Sequence, residues 1–170
     1  VESRGGVCVM SRTGHSLIKA KMKEVNADFA GEMSGHIFFH DRWPGFDDGV
    51  YAGARILEIL SREADPSAAL EALPSAVNTP ELQIRMAEGE NKAFIARLQK
   101  EARFDDALDV ITIDGVRVEW NDGFALARSS NTTPVVVLRL EGDTPEALER
   151  IKKTFAEVLL KVEPSLELPF

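Results

Sequence analysis

Residues 110–118 have the sequence VITIDGVRV, and this stretch decides the fold of the second half of the chain. Two runs rich in β-branched residues flank Asp114-Gly115, a pair that favours the tight turn of a β-hairpin. Working outwards, apolar runs at 82–86, 124–127 and 135–140 predict strands, and 93–98 predicts a helix. Thr144-Pro145 begins a final helix, because an N-cap residue followed by proline is a typical start.

The final helix has a stripe of apolar residues at helical spacing, which predicts its buried face. The stripe consists of Leu148, Ile151, Phe155, Val158/Leu159 and Val162. With this helix, the second half of the chain (76–170) predicts a two-layer β-α-β-β-β-α unit that forms its own core.

The first half (1–75) predicts an incomplete α/β arrangement. Residues 7–10 form an apolar run that predicts a strand buried on both faces, with Cys8 a small buried side chain. Helical spacing follows at 15–25, and short strands at 29–30 and 37–39 flank a glycine-rich turn. Asp47 or Asp48 caps the next helix, which is expected to bury its apolar face. That face consists of Val50, Ala54, Leu57 and Leu60.

Composition excludes several classes of protein. The 170 residues carry a net charge of -8, which argues against nucleic acid or an anionic membrane as partner. The single cysteine rules out an internal disulfide framework, and no apolar run is long enough for a membrane span. With no secretory signal either, we expect a cytoplasmic location. The chain has no initiator Met and reaches an apolar run almost at once, which suggests that an upstream part is missing.

The loop at 128–134 has the sequence RSSNTTP and offers one guanidinium, four hydroxyls and an amide. A guanidinium matches phosphate with two parallel hydrogen bonds, and hydroxyls and backbone N–H groups can complete the oxygen shell. The residue types therefore suit phosphate binding. A polar turn whose side chains satisfy their own backbone is the alternative.

The loop at 31–36 has the sequence GEMSGH. Glu32 and Ser34 would point the same way in an extended segment, which suits neighbouring hydroxyl groups of a sugar. A tight turn with an exposed Glu is equally compatible. His36 and His40, with Glu32 and Asp41 nearby, also invite a metal site, but no third clear ligand is present.

Four segments together resemble the α-D-phosphohexomutases: 13–16 (TGHS), 31–36, 42–49 (RWPGFDDG) and 128–134. They follow in order along nearly the whole chain. Members of this family have four domains around a cleft. The resemblance implies that 1–75 is the later part of a three-layer α/β/α third domain and that 76–170 is the fourth domain.

Such enzymes interconvert hexose 1-phosphates and hexose 6-phosphates through a phosphoserine, a bisphosphorylated sugar and Mg²⁺. By resemblance, Glu32 and Ser34 bind sugar hydroxyls, His36 lies beside the reacting end as a candidate acid/base, and His15 lines the cleft. The phosphate that does not react is held by Arg128, Ser130, Asn131, Thr132 and Thr133. Met33 favours glucose and mannose phosphates, since glucosamine-specific relatives usually have Gln there.

The family's serine-bearing segment and its aspartate-rich metal loop are both absent from this sequence. The chain is therefore expected to recognise hexose phosphates, to lack metal ligands and nucleophile, and to be inactive without the other domains of the same protein. A stand-alone, non-catalytic phosphosugar-binding module is the alternative, and a histidine-based metal hydrolase is a third hypothesis.

Overall fold

Periodic apolar residues produce five α-helices and eight β-strands in the computed structural model, which describes residues 1–170. These elements belong to two units, Val1–Pro74 (unit 1) and Ser75–Phe170 (unit 2). None of the helices combines the length and the apolar character that crossing a bilayer requires.

Unit 1 is built from one hairpin and three helices. Its elements, after a 3₁₀ turn at Glu2–Arg4, are α1 (His15–Val25), β1 (Phe29–Gly31), β2 (Ile37–Phe39), α2 (Gly49–Leu60) and α3 (Pro66–Glu71). The predicted helix at 15–25 and the two short strands are confirmed. Asp48, not Asp47, caps α2, because its carboxylate accepts the Tyr51 N–H at 2.9 Å.

Two expectations for unit 1 are wrong. Residues 7–10 form no strand, Val7 is 87% exposed, and Cys8 is also exposed. A buried parallel strand needs neighbours on both sides to pair its backbone groups, and unit 1 contains only the two-stranded β1–β2 sheet.

The apolar face expected for α2 is likewise exposed, with Val50 at 87% and Leu57 at 68%. Ala52 is the helix's one buried residue, and the hairpin contacts α2 through Phe39, whose ring lies 5.5 Å from that of Tyr51. The buried core of unit 1 consists of Ile18, Met22 and Phe38.

Unit 2 is a single antiparallel sheet with helices packed against it. Its elements are β3 (Val77–Asn78), β4 (Leu82–Arg85), α4 (Glu90–Glu101), β5 (Asp109–Ile111), β6 (Val116–Trp120), β7 (Gly123–Ser129), β8 (Val135–Gly142) and α5 (Pro145–Val162). The strand order is β3-β8-β7-β6-β5, and β4 pairs with β8 on the same edge as β3. The edge is interrupted between them, because Pro80 has no N–H for the ladder.

The two-layer α+β class predicted for the second half is confirmed, and the hairpin at Asp114-Gly115 is present. Because that hairpin contributes both β5 and β6, four strands rather than three lie between α4 and α5. The core draws on both helices and on alternate residues of the central strands. The predicted stripe of α5 is buried except for Val162: Leu148, Ile151, Phe155 and Leu159 belong to this core, and Val162 packs at its margin.

Candidate functional site

The phosphate-binding candidates lie where β7 ends and β8 begins. Arg128 and Ser129 are the last residues of β7, paired with Val137 and Val136 of β8, so a seven-residue ladder fixes their positions. Residues 130–134 form the connecting loop, and its side chains from position 131 to 134 are exposed. The sheet therefore presents this polar loop at one end of unit 2, as is typical of binding loops.

The Ser130 hydroxyl is the centre of this loop. Its Oγ accepts the backbone N–H groups of Thr132 at 3.3 Å and Thr133 at 3.2 Å, and the Thr133 hydroxyl donates to it at 2.9 Å. Three donors thus converge on one oxygen atom, which is the arrangement that an anionic oxygen also requires. These bonds are also those of the polar-turn alternative, because the donors serve the loop's own serine, while Thr132 and Thr133 are exposed.

Arg128 is one of six arginines, among the twelve of the chain, whose guanidinium forms no ion pair. The other six each pair with a carboxylate: Arg42, Arg55, Arg62, Arg97, Arg117 and Arg150. An unpaired, half-buried guanidinium at the edge of a hydroxyl-rich loop is free to bind an external anion.

Two contacts that the sequence did not reveal support Arg128. Gly115 has φ +92°, and a Cβ there would lie 2.7 Å from the Arg128 Cα, so the hairpin turn packs directly against the arginine's backbone. Gln99 of α4 donates to the carbonyls of Thr112 and Gly115 at 3.1 and 2.9 Å, which fixes that turn. The Asp-Gly pair signalled the turn, but no sequence pattern signals its contact with Arg128.

The sugar-binding candidates lie at the tip of the β1–β2 hairpin. Gly35 donates to the Glu32 carbonyl at 3.0 Å with φ +86°, so residues 32–35 form a tight turn. The expectation that Glu32 and Ser34 lie in an extended segment is therefore wrong. The Glu32 carboxylate accepts the backbone N–H of Gly14 at 3.3 Å, which places it at the first turn of α1 beside His15. The exposed hydroxyl of Ser34 lies in the same turn.

His36 is held by a carboxylate that the sequence reading assigned only to capping. Its Nδ1 lies 2.6 Å from Oδ2 of Asp47, and both side chains are partly exposed. Because an ionised carboxylate only accepts, Nδ1 carries the proton and Nε2 of the neutral ring is left as an acceptor. A base oriented by a third group is the arrangement used in acid–base catalysis.

No three His, Cys, Asp or Glu side chains in the structure are grouped to hold a metal ion. His36 pairs with Asp47, and His40 packs over Gly45, where an added Cβ would lie 3.1 Å from the His40 ring. The residues present therefore do not supply a ligand set for Mg²⁺.

The segment that carries Asp47 is fixed to α2 by charged and aromatic contacts. Arg42 binds Glu58 through two hydrogen bonds of 2.6 and 3.2 Å, and Arg55 donates to Asp41 at 2.9 Å. Trp43 stacks on Tyr51 with ring centroids 4.3 Å apart. Trp43 therefore packs within unit 1.

The arginines of this cluster change the acid–base behaviour of its carboxylates. Hydrogen bonds from Arg55 lower the pKa of Asp41, and hydrogen bonds from Arg42 lower the pKa of Glu58. Folded-state pKa values below the unfolded ones mean that these pairs stabilise the segment above pH ~4 and stop doing so as the pH falls through the folded values.

We therefore expect acid to release Trp43 from Tyr51. An NMR titration from pH 7 to pH 2 should show the Trp43 ring signals constant above pH ~4 and shifting below it. In Glu58→Gln the shift should be smaller, since one titrating pair is gone. Identical titrations in the two proteins would contradict this prediction.

A second prediction concerns the His36 tautomer. At alkaline pH, where the ring is neutral, ¹⁵N shifts should show the proton on Nδ1, because Asp47 accepts it. Asp47→Asn should convert the ring largely to the common Nε2–H form, while His40 serves as an internal control. An Nε2–H ring in the unmodified chain would show that the hydrogen bond does not form in solution.

Two groups of candidate residues thus result, one in each unit. Unit 1 brings together His15, Glu32, Ser34 and His36, and unit 2 brings together Arg128 and residues 130–133. Sequence analysis missed Asp47 as the partner of His36, and it missed Asn91, whose side-chain amide contacts the 130–134 loop. Both contacts join residues that are distant along the chain, so no local sequence pattern predicts them.

Comparison with known proteins identifies the family of the chain. Residues 1–77 match the family model for the phosphoglucomutase/phosphomannomutase alpha/beta/alpha domain III. Residues 81–158 match the model for the phosphoglucomutase/phosphomannomutase C-terminal domain. The chain belongs to this family.

Relatives with curated names agree with the family assignment. A phosphoglucomutase from Neisseria gonorrhoeae is 54% identical over 94% of the chain and 35% of its own length. A phosphomannomutase/phosphoglucomutase from Pseudomonas aeruginosa is 52% identical over 100% of the chain and 37% of its own length. The chain therefore spans about a third of the length of these relatives.

A solved structure shares the fold of the chain. The crystal structure of a phosphoglucomutase/phosphomannomutase family protein from Burkholderia thailandensis matches 99% of the chain with a TM-score of 0.93 and 57% sequence identity. The match covers 36% of that protein.

Proposed function

We propose that this chain is the C-terminal part of a phosphohexomutase that interconverts hexose 1-phosphates and hexose 6-phosphates. On this proposal residues 1–75 are the later part of the third domain and 76–170 are the fourth. The observation that carries it is the set of donors in unit 2: Arg128, which forms no ion pair, lies beside an exposed loop whose N–H and O–H groups converge on the Ser130 hydroxyl. The names of the relatives, at 52–54% identity, give the substrate class.

The unit 2 loop would hold the phosphate that does not react. Arg128 supplies the charge and a planar pair of donors, Thr132 and Thr133 supply N–H and O–H groups, and Ser130 and Asn131 add further polar contacts. The overall charge of -8 does not oppose this, because the interaction depends on the local groups.

The unit 1 hairpin would bind the sugar. Glu32 accepts and Ser34 donates or accepts, so together they match the mixed character of adjacent sugar hydroxyls. His36, oriented by Asp47, would accept or donate a proton at Nε2 when a hydroxyl reacts, and His15 would line the cleft. Met33, exposed in the same turn, leaves glucose and mannose phosphates as the proposed substrates.

The chain's own contribution to phosphoryl transfer would be placement and charge neutralisation, which supply most of the catalysis in this class of reaction. One clamp for the distal phosphate and one set of sugar ligands would allow either end of a bisphosphorylated sugar to be processed. The sequence has no segment like the family's phosphoserine segment, so we expect no turnover by these 170 residues alone.

A chimera tests the proposal. The 170 residues would replace the matched 37% of the Pseudomonas aeruginosa relative, and glucose 1-phosphate turnover would be measured in a coupled assay. We expect the chimera to be active and the isolated chain to be inactive. An inactive but folded chimera, with an isolated chain that still binds glucose 1-phosphate, would instead support the stand-alone module. Turnover by the isolated chain would overturn the proposed division of roles.

A further inference from the structure

Asn91 is a buried amide in the first turn of α4, and only 3% of it is exposed. Apart from Thr79, it is the one polar residue of the chain that is buried. Its Oδ1 accepts the Lys92 N–H at 2.9 Å, which satisfies one of the free donors at the start of the helix. The other half of the amide points away from the helix, towards the 130–134 loop.

The Asn91 Nδ2 contacts three carbonyl oxygens at the base of that loop. The distances are 3.2 Å to Ser130, 3.3 Å to Thr133 and 3.2 Å to Val135. The carbonyls of Thr133 and Val135 also accept the backbone N–H groups of Val135 and Ser130, respectively. The Ser130 carbonyl has no such backbone donor, so it depends on Asn91.

These contacts determine which backbone groups the loop directs inwards and which it directs towards the Ser130 hydroxyl. With the Ser130 and Thr133 carbonyls directed inwards to Asn91, the loop folds so that the N–H groups of Thr132 and Thr133 meet the Ser130 hydroxyl. Two backbone bonds also anchor the segment: the Met86 N–H donates to the Pro134 carbonyl at 3.0 Å, and the Ser130 N–H donates to the Val135 carbonyl at 2.9 Å. Loss of the Asn91 donors would therefore leave the Ser130 carbonyl without its partner and remove the side-chain contact that joins the two ends of the loop.

We propose that Asn91 is a positioning residue that holds the 130–134 loop in its phosphate-binding conformation. The inference rests on the proposed function of that loop, because Asn91 itself is buried beneath the loop and does not reach the ligand. A loop that adopts the competent conformation only part of the time binds with an affinity reduced by that fraction.

Asn91→Asp isolates this role. The aspartate retains the acceptor for the Lys92 N–H and suits a helix N-terminus, so α4 should still begin there. It loses the two amide hydrogens and places a carboxylate against three carbonyl oxygens. Asn91→Leu, similar in volume and without charge, is the second variant. Thr79→Val is the matched control, since Thr79 is also buried and its hydroxyl accepts the Leu140 N–H at 3.2 Å, away from the loop.

Two measurements on the 170-residue chain test the inference. Glucose 1-phosphate binding would be followed by NMR titration, and hydrogen exchange would be followed at the Thr132 and Thr133 amides. We expect both Asn91 variants to weaken binding by about tenfold, as a tenfold loss of the competent conformation would do, and to speed exchange at both amides. Thr79→Val should leave affinity and loop exchange unchanged. Arg128→Ala should abolish binding while it leaves loop exchange as it is.

The outcomes distinguish failure of the proposed phosphate site from failure of the positioning role of Asn91. If Arg128→Ala abolishes binding and the Asn91 variants bind as well as the unmodified chain, the inference is wrong and the proposed phosphate site stands. If the unmodified chain does not bind glucose 1-phosphate, the proposed phosphate site is wrong. Hydrogen exchange at Thr132 and Thr133 then tests alone whether Asn91 holds the loop. Unchanged exchange of Thr132 and Thr133 in both Asn91 variants overturns the positioning role in either case.

Discussion

Arg128→Ala is expected to lower kcat/KM for glucose 1-phosphate by a factor of about 100 to 1,000 in the chimeric enzyme. Each charge-assisted hydrogen bond contributes roughly 1.5–3 kcal/mol, and a guanidinium can form two with one phosphate. A loss of about 3–4 kcal/mol corresponds to this factor at 1.4 kcal/mol per tenfold. The substitution breaks no ion pair within the chain, because Arg128 has no carboxylate partner.

Two further variants make this prediction specific. Arg128→Lys keeps the charge but not the planar pair of donors, so its kcat/KM should fall between those of the unmodified chimera and the Arg128→Ala chimera. Arg103→Ala is the charge-matched control. Arg103 follows α4 and donates to the Lys100 and Ala102 carbonyls, in an exposed position. An Arg128→Ala enzyme within threefold of the Arg103→Ala enzyme would contradict the role assigned to Arg128.

Phe155→Ala is expected to cost about 3–5 kcal/mol of the unfolding free energy of unit 2, the range for truncation of a buried aromatic side chain. Phe155 is fully buried in α5 and stacks on Phe104 with ring centroids 5.8 Å apart. Truncation removes this apolar surface from the core and leaves a cavity between the helix and the sheet. Because a domain of this size has roughly 5–15 kcal/mol of stability, the loss is a large share of it.

Urea unfolding followed by Trp120 fluorescence would measure the change, since Trp120 lies in the same core as Phe155. Phe155→Leu should cost less than the alanine variant, because most of the volume is retained. Leu108→Ala serves as the control, with a side chain that is 64% exposed and an expected change within ~0.5 kcal/mol. Equal midpoints for Phe155→Ala and Leu108→Ala would contradict the packing described for α5.

Short sequence patterns correctly predicted the elements whose hydrogen bonds and turns are formed by residues close together in the chain. Thr144 caps α5, where its hydroxyl accepts the Ala147 N–H at 3.2 Å, and Asp114-Gly115 forms the hairpin turn. The helical period of α5 likewise predicted the residues that are buried. In each case the pattern and its consequence lie within a few residues of each other.

Predictions failed where burial depends on a distant surface. The apolar runs at 7–10 and in α2 indicated buried elements, but a run of apolar residues does not specify what covers it. Contacts between distant positions were missed for a related reason. Asn91 meets the Ser130 carbonyl across 39 positions of sequence, and His36 meets Asp47 across 11. A single asparagine in a helix has no sequence signal that separates a buried amide from an exposed one.

The candidate residues themselves were found because they form dense polar loops between strands, and the family resemblance then assigned roles to them. Their geometry was not predictable in the same way. The tight turn at 32–35 and the convergence of donors on Ser130 both depend on backbone conformation, which composition does not fix.

The unequal cores of the two units have a consequence for how each tolerates mutation. Unit 2 has sixteen buried core residues, whereas unit 1 has three. A protein absorbs random substitutions only as far as its stability exceeds the threshold for folding. The proposed phosphate loop of unit 2 can therefore change while its scaffold stays intact, but in unit 1 an unfavourable change at Ile18, Met22 or Phe38 affects one of the three buried residues that pack together beneath the hairpin. Substitutions at the proposed sugar-binding hairpin are thus more restricted by the stability of these residues than substitutions at the proposed phosphate loop.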